Sequence, residues 1–153
     1  MDLYDVLKFV HILLVTIAVG FNASYGIWLA RASSQDGAAH LSHVLRGIKF
    51  LDDRFANPAY ALLLATGLAM VFVGSIPLTT FWILTALALY VAVIVVGLGF
   101  YTPLLRRQLA VLEASGADSA EYGAVSARAR VVGIVTGALV LIIVFLMVVK
   151  PTL

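Results

Sequence analysis

Four uninterrupted apolar runs constrain this chain more than any other feature: they lie near Leu7 to Ala30, Pro58 to Ile76, Thr80 to Leu105 and Val131 to Val149. Each approaches or exceeds the roughly 20 residues that an α-helix needs to cross a hydrocarbon core about 30 Å thick. Unpaired backbone amides are intolerable in lipid, and these runs lack the alternation of a barrel strand, so each predicts a helix. Composition agrees, with 63% of the 153 residues hydrophobic, 12% charged and a mean hydropathy of +1.07, well outside the range of soluble domains. The expected fold is an all-α integral membrane protein, a four-transmembrane-helix bundle forming one domain over residues 1–153.

The charges predict an orientation. Arg31, Arg46, Lys49 and Arg54 fall between the first and second spans, and Arg106, Arg107, Arg128 and Arg130 between the third and fourth. The connection Gly74-Ser75-Ile76-Pro77-Leu78 carries no charge. Positive loops stay in the cytoplasm, so both termini and the short hairpin are expected outside. Lys8 and Lys150 depart from the bias, but long side chains at span ends snorkel to the headgroups. Because the basic residues serve topology, the pI near 9.1 does not point to nucleic acid as a partner. The first run lacks a preceding basic segment and a small-residue cleavage site, so it reads as a retained helix. With no cysteine, disulfides, thiolate metal sites and cysteine nucleophiles are excluded.

Between spans one and two, Leu41, Val44, Leu45, Ile48, Leu51 and Phe55 recur at helical spacing opposite His43, Arg46, Lys49 and Asp53, which predicts an amphipathic cytoplasmic helix. Pro58 disfavours helix in the residue before it, so this helix should end by Asn57, which then caps the second span. Asp52-Asp53-Arg54 reads as an interfacial charge cluster. The third helix is expected to run past Pro103 to Ser115-Gly116. Asp118 and Glu121 have capping-box spacing for a last helix running from about Ser119 to Val149.

Along the first span Tyr4, Lys8, His11, Val15, Ala18, Asn22 and Tyr25 alternate at steps of four and three, which puts its polar side chains on one seam. Such a face turns toward other helices, because an amide or imidazole facing acyl chains lacks partners. Interhelical bonding is the simplest role for the seam. His11 is the one histidine at membrane depth, and Met70 and Met147 lie at a similar depth near the outer ends of spans two and four. Neutral imidazole with thioether suits a haem iron or monovalent copper, so these three form a candidate cofactor cluster. His40 and His43, i and i+3 on the amphipathic helix, are a second candidate metal pair without a third ligand. No Asp or Glu lies within a span, which argues against a carboxylate relay or cation-coupled carrier. No phosphate loop, metalloprotease motif or hydrolase triad marks an enzyme. Gly133 and Gly137 form GxxxG, and Ala92, Gly97 and Gly99 thin a face of the third helix, so helices pack closely there, within the bundle, in a homo-oligomer or against a partner subunit.

Four segments together resemble a family of bacterial predicted integral membrane proteins, the domain of unknown function 2269. They are Leu7-Lys8-Phe9-Val10-His11, Asp53 before a proline-started helix, Phe81-Trp82, and Met147-Val148-Val149-Lys150-Pro151. The resemblance covers essentially the whole chain and implies four helices in a bacterial inner membrane, with no activity attached. A lysine or aromatic residue followed by histidine early in the first helix is more distantly similar to HemJ-type protoporphyrinogen oxidases and CopD-type copper proteins. In the former a first-helix histidine is thought to ligate haem, and the matching position is His11. Unlike both, this chain has no second intramembrane histidine, so two-histidine ligation needs a dimer that joins two copies of His11. The sequence thus supports an accessory or scaffolding membrane subunit, alternatively a haem b or copper protein of electron transfer or metal handling.

Overall fold

A computed structural model describes residues 2–33 and 38–151, which are mainly helical with no strand among them. Helix α1 spans Leu3–Ser33, α2 Ala38–Leu51, α3 Asn57–Val73, α4 Phe81–Val96, α5 Thr102–Ser115 and α6 Ala120–Val149. Four stretches are long and apolar enough to cross a membrane: Leu3–Ser33, His40–Val73, Phe81–Ser115 and Ala120–Val149. Their large side chains point outward in numbers no soluble protein tolerates, including Phe9, Leu62, Phe72, Leu84, Leu141 and Val148. Such a surface is stable only against lipid.

The expected break before Pro58 does not occur. The helix continues from α2 into α3 through a π-helical turn, Asp52–Ala56, in which the Asn57 amide donates to the carbonyl of Asp52, five residues back. A second π-turn, Gly97–Tyr101, joins α4 to α5, with the Thr102 amide donating to Gly97. Each is followed, after one residue, by a proline, Pro58 or Pro103. Proline has no amide to donate and its ring clashes with the carbonyl four residues earlier. Widening one turn by a residue relieves the clash without ending the helix. Asn57 is therefore a mid-helix residue and not a cap.

At the other predicted boundaries, Gly116 takes φ 81 and closes α5, a conformation that favours glycine. The N-cap of α6 is Ser119, whose Oγ accepts from the Tyr122 amide at 3.1 Å. The Asp118/Glu121 capping box is thus displaced by one residue, and Glu121 instead faces Arg107 at 3.6 Å.

Packing is uneven. Helix α1 lies chiefly against α3 and α4 against α6, while α1 meets α6 more sparingly and α3 packs on neither α4 nor α6 to a comparable extent. The spans thus form two helix pairs with a cleft between them. The best-packed core sits at the arginine-rich end, where Leu41, Leu45 and Ile48 of α2 bury against Tyr25, Leu105 and Leu112. The Arg46 guanidinium ties the same elements outside that core, donating to Glu113 of α5 at 2.6 and 3.2 Å. Closing the cleft at one end leaves it open within the spans.

Candidate functional site

The cleft holds two cavities. The first, of about 560 Å³, lies toward the hairpin end, and the second, of about 830 Å³, toward the arginine-rich end. Val19, Tyr60, Val93 and Val140 border both, so a single layer of side chains separates them. The polar seam of α1 supplies one wall of each: Tyr4, Lys8 and His11 line the first, Asn22 and Tyr25 the second.

The hairpin-side cavity brings together the three members of the candidate cofactor cluster, His11 from α1, Met70 from α3 and Met147 from α6. The imidazole of His11 is held against α3, with Nδ1 2.8 Å from Thr66 Oγ1. The Thr66 hydroxyl has one proton, directed at the carbonyls of Leu62 and Leu63 at 2.8 and 3.2 Å. With the hydroxyl proton on those carbonyls, Thr66 Oγ1 accepts from Nδ1–H, and this is the tautomer in which Nε2 keeps its lone pair. Gly67 makes this approach feasible: a Cβ there would stand 3.2 Å from His11 Cε1. At the hairpin end the cavity is bordered by two cations, Lys8 and Lys150, the latter with its Nζ 5.4 Å from the centre of the Trp82 ring. This is an apolar chamber lined by one imidazole, two thioethers and two ammonium groups.

The arginine-side cavity is more polar. Asn22 donates to Ala18 O at 2.9 Å and to Tyr60 Oη at 3.0 Å, joining α1 to α3. Tyr90 donates to the Tyr60 carbonyl and so bridges the two helix pairs. Asp52, read from sequence as part of an interfacial charge cluster, is instead only 4% exposed. Its Oδ2 accepts from Asn57 Nδ2 and Thr102 Oγ1, each at 3.3 Å. Asp53, by contrast, pairs with Lys49. A signal for Asp52 was present in the sequence, since it stands four residues beyond Ile48 and continues the stripe of Leu41, Leu45 and Ile48.

His40 and His43 lie exposed on α2, and among the described residues no group of three or more His, Cys, Asp or Glu is placed to hold a metal ion. Within the GxxxG pair, Gly133 packs inside the chain, where a Cβ would lie 3.5 Å from Tyr101 Cε2. Around Gly137 nothing stands within 4 Å of that position.

Comparison with curated proteins and with solved structures returns no match. The family model described as Predicted integral membrane protein (DUF2269) matches residues 5–151. With nearly its whole length inside that match, and with four apolar helices that require lipid, the chain belongs to this family of integral membrane proteins of unknown function.

Proposed function

We propose that this protein is a haem-binding membrane bundle of electron transfer or metal handling, in which His11 would hold the haem. The observation that carries this reading is the shared cavity lined by His11, Met70 and Met147. The residues fit the group. A histidine with a methionine thioether is a known haem ligand pair, and haem so held supplies one-electron chemistry. Thr66 fixes the imidazole tautomer, as partners behind metal-ligating histidines do. The ammonium groups of Lys8 and Lys150 are of the charge that propionates require. A volume of about 560 Å³ falls in the range of about 300–1,000 Å³ typical of organic ligand sites. That size favours haem b over a lone copper ion, although the same donors suit monovalent copper.

A second reading, an accessory or scaffolding subunit that works as a homo-oligomer or beside a membrane partner, draws support from Gly99. It lies in the second π-turn, and nothing stands within 4 Å of where a Cβ would project, so another helix backbone can approach there. In either case the arginine-rich end faces the cytoplasm of a bacterial inner membrane and both termini lie outside, by the positive-inside rule.

The test is an absorption spectrum, oxidised and dithionite-reduced, of protein purified in mild detergent from cells supplied with haem, with elemental analysis for copper alongside. A Soret band that disappears in His11→Ala is the expected result. Copper in place of haem moves the assignment to the metal, and a colourless, metal-free protein refutes the cofactor reading in favour of a partner-binding subunit.

A further inference from the structure

We propose that the arginine-side cavity is a second binding site, which takes a single protonated amine carried on an apolar body. The argument begins with what the site leaves unsatisfied. Buried carboxylates are normally paired with a cation, yet among the described residues Asp52 forms no ion pair, and its hydrogen bonds are two 3.3 Å contacts from the neutral donors Asn57 and Thr102. Lys49 is engaged by Asp53. Two further polar atoms on the lining are buried without a partner among the described residues, Gln108 Oε1 and Tyr25 Oη, in side chains each 2% exposed. Gln108 Oε1 can only accept, and an ionised carboxylate can only accept. The Tyr25 hydroxyl can accept as well as donate, so all three groups are served by donors, and with the positive charge that Asp52 lacks these describe an ammonium group.

The remaining lining fits the same ligand. Tyr25, Tyr60 and Tyr101 border the cavity, and each lies within electrostatic reach of the Asp52 carboxylate. Aromatic faces beside a carboxylate attract an organic cation without holding a bare ion. A chamber of about 830 Å³ is too large for a metal ion and admits a bulky amine. One carboxylate balances one ammonium, so a monoamine is favoured over a polyamine. Among the described residues, the only other charged side chain on the lining is Arg130, which is exposed. The two π-turns supply a second line of argument. They relieve the two prolines and in doing so place Asp52 beside Thr102, and single π-turns are frequent at functional sites.

The experiment titrates the full chain in mild detergent with 2-phenylethylammonium, phenylacetate and 2-phenylethanol by calorimetry. The ammonium is expected to bind at least about tenfold more tightly than the acid or the alcohol. Asp52→Asn should remove that preference, whereas Arg130→Ala should preserve or strengthen binding. His11→Ala should leave it unchanged, which separates this site from the haem site. Equal binding of the three probes, undiminished ammonium binding by Asp52→Asn, or no ammonium binding at millimolar concentration overturns the proposal.

Discussion

Replacing Thr66 by valine removes one hydroxyl at nearly constant volume and tests how His11 is held. In the native protein that hydroxyl accepts Nδ1–H across the α1–α3 interface at 2.8 Å. The Leu62 carbonyl loses only a supplementary donor, because the helix ladder still serves it. The cost is therefore the loss of one interhelical bond together with a stranded imidazole N–H. Interhelical bonds in membranes contribute about 0.6 kcal/mol on average and at most about 1.7, while a donor sealed from water costs about 1–3. His11 is half-buried and borders a cavity, so its stranded N–H is not fully sealed, and about 1 kcal/mol is expected. That is roughly a fivefold shift in the unfolding equilibrium, measurable by denaturant titration in mixed micelles. Attribution to the bond requires a cycle, because Thr66→Val also changes packing. In a His11→Leu background the same substitution should cost almost nothing. If it costs as much there as in the native chain, the bond contributes nothing and the fixed tautomer falls with it. In haem-loaded protein, Thr66→Val should in addition lower haem affinity by about 10–100-fold, the effect usual for partners behind a metal ligand.

Two further outcomes follow from the geometry. Gly67→Ala puts a methyl 3.2 Å from His11 Cε1; an overpacking cost of about 1–3 kcal/mol outweighs the gain of about 0.8–1.0 kcal/mol in helix propensity, so the variant should be less stable by denaturant titration, and neutral or better once His11 is also alanine. Ser119→Ala removes the cap of α6 and should cost about 1 kcal/mol in the same assay, whereas Asp118→Ala should fall within about 0.5 kcal/mol of native.

The spans, the amphipathic α2 and the stop at Gly116 were legible in the sequence because each rests on a local requirement. A stretch that enters lipid must satisfy its own amides, and a helix that lies on the core must show a stripe. Spacing also puts Tyr4, Lys8, His11, Asn22 and Tyr25 on one face of α1, and these residues border the two cavities. Asp52 was missed although it extends the Leu41, Leu45 and Ile48 stripe, because the charge run Asp52-Asp53-Arg54 outweighed that register. The π-turns were not legible: Pro58 and Pro103 announce a disturbed ladder, but whether the helix ends or widens depends on what packs around it. Only the tertiary structure decided that α1 pairs with α3 and α4 with α6, that the cleft between the pairs opens into two cavities, and that His11, Met70 and Met147 border one while Asp52 borders the other. Lipid covers every apolar face about equally well, so hydrophobicity in this chain specifies that its helices form but leaves their choice of neighbours to shape and to a few interhelical hydrogen bonds.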